Sequence, residues 1–290
     1  ADANATYGHI KDWNVTGVTN MQDAFKNKTT FDENITGWDV SNVANMRAMF
    51  HTATAFNQPV GDWNTSSATS MQDMFRNAYA FNQPIGDWNT SSATNMMDMF
   101  READAFNQPI GGWDVSSVTR MPHMFATAYS FNQDLSDWNV SSVTDMPNIF
   151  LNANALSNAH KGLIHSSFSS NSNWPYSSWS AQVPAPATLT NSNFQTAVNL
   201  WCSDKAAAFA TYGHIKDWNV TGVTNMQHAF LDKTAFDENI TAWDVSNVTS
   251  MSRMFEGASA FNQFIGDWNT STVSNMRDMF QGATAFNQDI

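Results

Sequence analysis

Asparagine with serine or threonine two residues later is the most frequent chemical motif of this chain, and it is the acceptor sequence for N-linked sugar. Directly after a tryptophan, such sequons occur at Asn14, Asn64, Asn89, Asn139, Asn219 and Asn269. At Asp39, Asp114 and Asp244 an aspartate replaces the asparagine but the serine persists, so a turn alone could also explain the motif. The other sequons lie at Asn4, Asn27, Asn34, Asn239 and Asn247. The last three fall outside the tryptophan-linked turn, so we expect them to be the clearest glycosylation candidates.

An aspartate precedes the tryptophan in most repeats, at Asp12, Asp62, Asp87, Asp137, Asp217 and Asp267. If the repeats stack, these carboxylates form a column of like charges that calcium could bridge with oxygen ligands. Gly37, Gly112 and Ala242 interrupt the column, and no calcium-loop spacing occurs. The sequence therefore favours solvated carboxylates, keeps calcium as an alternative, and predicts no other metal or cofactor.

Nucleophiles and proton carriers are sparse. His160 and His165 lie five residues apart, which does not place them on one helical face, and the other histidines are scattered. Cys202 is the single cysteine, and a buried thiol is favoured over pairing with another chain. Phosphate-binding loops, nucleophile elbows and dinucleotide fingerprints are missing from the sequence. We therefore expect a protein that is not an enzyme.

Charge and hydropathy limit the class of partner. The chain carries 13 basic and 26 acidic residues, which gives a net charge of −13. Nucleic acids and anionic membrane surfaces both attract basic patches, so neither is expected as a partner. The sequence has no apolar run of about 18 residues, so no membrane insertion is expected. Asparagine, serine and threonine supply most of the polar surface, a composition that indicates an extracellular or cell-surface location.

Aromatic residues recur every 25 positions along most of the chain. The predicted core consists of two such columns, Trp38, Trp63, Trp88, Trp113 and Trp138, and Phe50, Phe75, Phe100 and Phe125. A fixed period of this length is typical of a solenoid, in which one repeat cannot bury its apolar face without its neighbours.

The repeat at residues 81–105 predicts the conformation of one coil. A short strand is expected over residues 83–88, followed by Asx and Ser/Thr turns. Thr94 is placed as a helix N-cap, and Met96, Met99, Phe100 and Ala103 follow at helical spacing. The predicted fold is thus an α/β repeat solenoid with a short parallel strand and a short helix in each 25-residue coil. Asn-Gln pairs after the phenylalanine, such as Asn82-Gln83, are expected to form polar ladders between coils.

The pattern F-N-Q-x-I-x-x-W-[ND]-x-S-S-V-T-x-M-x-x-M-F resembles the BspA-like surface-protein repeats, a branch of the leucine-rich-repeat superfamily. Similar repeats occur in mycoplasma lipoproteins and in surface proteins of marine microbes and algae. The resemblance extends over nine coils, and it implies a right-handed α/β solenoid at the cell surface. It implies no single activity, since the family includes adhesive and antigenic proteins.

The repeat fails after Ala155 and resumes after residue 210. We expect a first block over 1–180 with a lid at 157–180, a proline-rich linker at 181–190, and a second block over 191–290. Within the first lid, a helix over 157–168 and three aromatic residues should cover the open end of the stack, whereas a helix over 191–210 should begin the second block. Residues 6–21 recur unchanged at 211–226, so the chain is expected to be an excerpt of a longer tandem protein, with the tail of a further lid at 1–5.

Two functional hypotheses follow. The favoured one is a structural protein that builds a fibre, sheath or surface appendage, with copies of itself or other surface proteins as partners. The alternative is an adhesin or receptor-like module that binds protein or glycan. A receptor should carry an exposed patch that departs from the repeat, and the sequence predicts none in the first array.

Overall fold

The chain divides into two compact units, Ala1–Trp179 (unit 1) and Ser180–Ile290 (unit 2). The computed structural model describes residues 8–290. The expected lid remnant at 1–5 and the Asn4 sequon lie outside the described residues.

Within each unit, successive 25-residue coils lie against one another in parallel. Met96 donates its backbone N–H to the Arg120 carbonyl one coil further on (2.8 Å), and Phe100 does the same to Met124 (2.9 Å). Single parallel bridges join each coil to the next, as Asn95 does with both Ser70 and Arg120. The backbone polar groups of a coil are thus satisfied by its neighbours, as buried peptide groups require.

The prediction of a strand over residues 83–88 is wrong. That stretch contains a turn in which the Trp88 N–H donates to the Ile85 carbonyl (3.2 Å), and no strand is assigned there. The parallel pairing lies instead at Asn95, directly before the methionine. This pairing involves one residue of each coil, so the coils are joined by isolated bridges and not by strands.

The helix expected after Thr94 is also wrong. Asp98 and Glu102 have φ values of 55° and 58°, in the left-handed region that an α-helix excludes. Tight turns form instead, with Met99 N–H donating to Met96 O and Ala103 N–H to Phe100 O. The N–H groups between these turns donate to the following coil, so none remains for an i to i−4 helical ladder.

The aromatic columns fill the interior of unit 1. Phe75 and Phe100 have ring centroids 5.7 Å apart at an interplanar angle of 7°, and Trp88 lies 6.3 Å from Trp113 at 2°. The Trp88 indole N–H donates to the Val60 carbonyl of the preceding coil (2.9 Å). All nine tryptophans and phenylalanines named above are buried.

The predicted amide ladder is confirmed. The Asn82 side-chain oxygen accepts from the backbone N–H of Asn107 (3.0 Å) and from the Gln108 amide (2.8 Å). Asp32 serves as an earlier rung, because its carboxylate accepts from Asn57 N–H (2.9 Å). An aspartate works at that position since only an acceptor is required.

Unit 1 ends in the lid that the sequence predicts. Helix α1 (Asn158–Phe168) begins at Ser157, whose side chain accepts from the His160 N–H, and it buries Leu163, Ile164 and Phe168. A 3₁₀ helix follows at Ser177–Gln182. The rings of Trp174, Tyr176 and Trp179 lie 5.5 to 6.4 Å from Phe150 of the last coil.

Unit 2 begins with a lid of different construction. Strand β1 (Thr188–Thr190) leads into helices α2 (Phe194–Ser203) and α3 (Lys205–Tyr212). The single helix expected here is divided at Asp204, whose carboxylate caps α3 by accepting from Ala207 N–H. Strand β2 (Asn219–Gly222) pairs with β1 in parallel, and residues 183–187 form neither helix nor strand. Two further 3₁₀ helices, Ile10–Asp12 and Ile215–Asp217, directly precede the repeat tryptophans Trp13 and Trp218.

Candidate functional site

One surface position of unit 1 departs from the threonine or serine of the repeat in four successive coils. Five other coils place Thr29, Thr54, Thr234, Ser259 and Thr284 at this position, and the coil next to the unit 1 lid places Asn154 there. Three coils instead place Tyr79, Asp104 and Tyr129 there, and we call these residues the Tyr–Asp–Tyr column. The expectation that the first array holds no such patch is therefore wrong.

Backbone bonds hold the column in register. Ala105 N–H donates to the Tyr79 carbonyl and Ser130 N–H donates to the Asp104 carbonyl, both at 3.2 Å. In regular coils the hydroxyl at this position is occupied internally, as when Thr54 Oγ1 donates to the Thr29 carbonyl (3.0 Å). The column replaces that hydroxyl with larger groups that reach outward, and Tyr79 and Tyr129 are 44% and 52% exposed.

The carboxyl group of Asp104 differs electrostatically from the other acids on this face. Partial burial and the nearby Glu102 carboxylate raise the pKa of Asp104 above its ordinary value. Glu102 itself is paired, since it accepts from the Asn77 amide (2.7 Å) and lies 3.4 Å from the Arg101 guanidinium. The Asp104 carboxylate has no hydrogen bond or ion pair to any described residue. A cation at this point would relieve both the repulsion and the desolvation.

A neighbouring set of charges is already neutralised within the stack. The Asp73–Arg76 and Asp98–Arg101 pairs each have an N–O distance of 3.3 Å, and His123 lies 3.9 Å from Asp98. Asp73 and Asp98 are buried, so their partners are required where they are. These groups hold the turns together and offer no open charge to a ligand.

Clefts accompany both lids. In unit 2 a cleft of about 480 Å³ is lined by Trp201, Cys202, Lys205 and Glu238 among others. The Glu238 carboxylate accepts from Lys205 (2.9 Å) and from the Trp201 indole (3.1 Å), so its charge fastens the lid to the coil. In unit 1 a cleft of about 420 Å³ lies between the last coil and the lid, lined largely by serine, asparagine and threonine.

The nine predicted sequon asparagines are all exposed: Asn14, Asn34, Asn64, Asn89, Asn139, Asn219, Asn239, Asn247 and Asn269. In the tryptophan-linked set the side-chain oxygen accepts from the N–H two residues on, as Asn89 does from Ser91 (3.1 Å). This Asx turn leaves the side-chain nitrogen, the atom that would carry sugar, turned away from the backbone bond.

That Asn34, Asn239 and Asn247 are the clearest glycosylation candidates stays a prediction, and their local hydrogen bonds differ from one another. Asn34 and Asn239 also form Asx turns, with Thr36 and Thr241 respectively. Asn247 donates its side-chain nitrogen to the Thr221 carbonyl of the preceding coil (3.0 Å). The sugar-accepting nitrogen of Asn247 is therefore the one that the stack uses, and this residue is the poorest candidate of the three.

The remaining candidates do not converge. Asp62, Asp87 and Asp137 are exposed, and among residues 8–290 no group of three acidic, histidine or cysteine side chains could hold a metal ion. Cys202 is exposed rather than buried, and it lines the open cleft of unit 2. His160 contacts the Asn132 side chain at 2.7 Å, and His165 accepts from the Trp174 indole at 3.0 Å, so both histidines stabilise the lid.

The Tyr–Asp–Tyr column is the feature that sequence reasoning missed. Its signal is present in the sequence, because aligning the coils at their 25-residue step shows two aromatics at a threonine position. The buried tryptophan and phenylalanine positions are nearly constant along the array, whereas this surface position varies and so has no repeat signal of its own.

In the part of the chain that the structure describes, no helix is long and apolar enough to cross a lipid bilayer. No curated protein matches this sequence. A family profile described as "Mycoplasma protein of unknown function, DUF285" matches residues 1–104, 84–176 and 192–290. The matched segments correspond to the coil-bearing regions of both units and cover most of the chain. The chain therefore belongs to this family of repeat-containing proteins.

Proposed function

We propose that this protein is a non-enzymatic, cell-surface repeat scaffold that binds a ligand through the Tyr–Asp–Tyr column. The observation that carries the proposal is the break in the repeat at Tyr79, Asp104 and Tyr129, where an internally bonded hydroxyl gives way to two exposed rings and a carboxyl. A repeat that served only to stack would have no reason to replace threonine there.

The chemistry of the column favours a cationic group on a protein partner. The two tyrosines lie two coils apart, and Asp104 belongs to the coil between them. Tyrosine faces attract cations, and a guanidinium can stack on a ring while it donates to a carboxylate. Tyrosine also supplies contact area at low cost in side-chain entropy. An arginine or lysine side chain satisfies all three residues at once.

The scaffold would supply rigidity to this surface. Aromatic stacks and the amide ladder join the successive described coils of unit 1, so the column is held by the stack rather than by a loop. Preorganised side chains lose little entropy on binding. We place the stack among right-handed, leucine-rich-repeat-like solenoids of the BspA-like kind and the protein outside the cell, on the strength of its 25-residue period and its neutral polar surface.

Fibre formation is the second candidate, and the duplicated segment 6–21 and 211–226 favours it. Equal blocks present equal surfaces, and contacts between them can propagate without closing. Sedimentation velocity over a concentration series tests this candidate: growing, open-ended species would support a fibre, and a single monomeric boundary would contradict it.

The test of the binding proposal uses a variant that restores the repeat: Tyr79→Thr, Asp104→Thr and Tyr129→Thr together. Threonine occupies this position in regular coils, so the variant should fold. Surface plasmon resonance with an arginine-rich peptide, a glutamate-rich peptide and a neutral oligosaccharide array separates the ligand classes. We expect the wild type alone to bind the arginine-rich peptide, with affinity that falls as salt rises. Equal binding by both proteins would remove the column from consideration.

A further inference from the structure

The unit 1 cleft lies between residues 138–144 of the last coil and residues 167–173 of the lid. Its volume of about 420 Å³ falls within the range of ligand pockets, roughly 300–1,000 Å³. Among the described residues, those that line it carry amide, hydroxyl and apolar side chains and include no acid or base. The cleft therefore offers a ligand an uncharged surface that is rich in hydrogen-bonding groups.

The lid side of this cleft is fixed to the coil by an asparagine. Asn171 donates its side-chain amide to the Val140 carbonyl (2.7 Å) and to the Val143 carbonyl (2.9 Å). The side-chain oxygen of Asn171 accepts from the Asn173 N–H (2.8 Å), so the next turn of the lid is held as well. A cleft whose two walls are bonded together in this way loses little entropy when a ligand enters.

On the coil side, one backbone carbonyl is left open. In interior coils the carbonyl at this position accepts the N–H of the residue 25 positions on, as Thr94 does from Thr119 and Thr119 does from Thr144, both at 2.9 Å. Thr144 belongs to the last coil, and no described residue donates to its carbonyl. Thr144 is exposed and lines the cleft. The column of hydrogen bonds thus ends in an acceptor that is available to a donor in the cleft.

Asn139 supplies the complementary donor. Its side-chain oxygen accepts from the Ser141 N–H (3.1 Å) in the Asx turn, and its side-chain nitrogen has no partner among the described residues. The hydroxyls of Ser141 and Ser172, on opposite sides of the cleft, also bond to no described residue, and both serines are exposed. A ligand hydroxyl both donates and accepts, so a ligand with several hydroxyls can satisfy all of these groups at once.

We propose that the unit 1 cleft is a binding site for a small, neutral saccharide. One sugar hydroxyl donates to the Thr144 carbonyl, another accepts from the Asn139 amide, and the two serines bond to further oxygens of the ring. Trp138 and Val143 add apolar surface to the lining, which suits the C–H groups of a sugar ring. A charged sugar is disfavoured, because its charge would lose water without gaining an opposite charge in the cleft.

The probes are glucose, cellobiose and N,N′-diacetylchitobiose, with glucuronic acid and glucosamine as charged controls. The complete 290-residue chain is produced in a bacterial host that adds no N-linked sugar, so that Asn139 stays unmodified. Amide NMR titration measures affinity and location together. We expect at least one neutral probe to shift the Ser141, Thr144 and Ser172 amides saturably, and the charged controls to leave them in place.

Asn139→Asp is the variant that tests the donor. Aspartate keeps the Asx turn, as Asp114 does when it accepts from the Ser116 N–H (2.9 Å), but it removes the amide nitrogen. We expect binding of the neutral probe to weaken about ten-fold, the loss of a hydrogen bond and the gain of an unmatched charge. Asn89→Asp is the matched control, because Asn89 has the same turn in an interior coil, and it should leave binding unchanged.

Ser172→Tyr tests the site independently of the coil, since it places a bulky side chain at the lid side of the cleft and should also weaken binding. Absence of shifts with every neutral probe overturns the proposal. Equal affinity for glucose and glucuronic acid overturns the ligand class, and binding that is unchanged in both Asn139→Asp and Ser172→Tyr overturns the site. The triple threonine variant of the Tyr–Asp–Tyr column should bind the saccharide as the wild type does, so the two binding proposals fail or succeed separately.

Discussion

Trp88 and Trp13 occupy the same repeat position in different surroundings, with exposed fractions of 3% and 40%. Trp88 contacts indoles on both sides and donates to Val60, so Trp88→Ala leaves a cavity and an unmatched carbonyl. We expect a loss of about 3–5 kcal/mol in the free energy of unfolding, measured by denaturant titration. Trp13→Ala is the matched control and should cost clearly less, and equal losses would contradict the stacked core.

The titration of Asp104 should make the free energy of unfolding fall as pH rises. Its pKa is raised above 3.8 in the folded state, so the folded chain binds more protons than the unfolded chain between 3.8 and that raised value. The free energy of unfolding then falls as pH rises through this window and stays lower above it. We expect Asp104→Thr to be more stable than the wild type at neutral pH and to lose that advantage below pH 3.8. Thermal melts of both proteins over a pH series measure the difference, and a gap that widens in acid would show that the sign is wrong.

The sequon asparagines differ in whether the side-chain nitrogen, the atom that would carry the sugar, already donates a hydrogen bond within the stack. When the chain is secreted from eukaryotic cells, Asn89 should be glycosylated because it is exposed and uses only its oxygen in the turn. Asn247 should stay largely unmodified because its nitrogen donates to Thr221. Peptide mass spectrometry after glycosidase treatment in heavy-oxygen water gives the occupancy of each site. High occupancy at Asn247 together with an unmodified Asn89 would reverse this ranking.

At the scale of the element, the amide ladder needs an acceptor and tolerates a change of charge. Asn82→Ala removes the oxygen that Asn107 N–H and the Gln108 amide share, and we expect a cost of about 1–3 kcal/mol from the unsatisfied donors. Asn82→Asp keeps an acceptor of the same shape, as Asp32 and Asp237 do in earlier rungs, and should cost much less. Denaturation midpoints compare the two variants, and equal effects would mean that the ladder contributes little.

The spacing of apolar residues within one coil does not decide between a helix and a series of tight turns. Met96, Met99 and Phe100 fit the spacing of a helix, but the same spacing fits consecutive turns whose free N–H groups donate to the next coil. A single coil cannot reveal that choice, because the hydrogen-bond partner lies about 25 residues away. The discriminating signal was the position of Glu102, which in other coils carries Asn77, Gly257 and Gly282, residues suited to positive φ.

At this scale the sequence predicted which repeated residues are buried and where the array is interrupted, but not the backbone conformation of the coil. The buried tryptophan and phenylalanine columns, the amide ladder and helix α1 with Leu163 inward follow from periodicity and amphipathic spacing. The Tyr–Asp–Tyr column required the exposure of its position, which depends on the turn that carries it. The exposed state of Cys202 depended on the rotation of α2 against the first coil, which no local pattern fixes.

For the whole molecule, the two units should respond separately to core substitutions. Each has its own aromatic columns and its own lid, and repeats within one stack unfold together because each coil is stabilised by its neighbours. We expect Trp88→Ala to lower the transition temperature of unit 1 and Trp243→Ala that of unit 2, each leaving the other transition in place.

Differential scanning calorimetry resolves the transitions, and hydrogen exchange assigns them through amides such as Phe100 and Phe255, which donate to the next coil at 2.9 and 2.8 Å. Lysine–glutamate contacts at the lid give a further handle, since Glu238→Gln weakens the fastening of the unit 2 lid and should shift only the unit 2 transition. If either tryptophan variant instead moved both transitions equally, the chain would be unfolding as one cooperative body, and the lids would not delimit independent blocks.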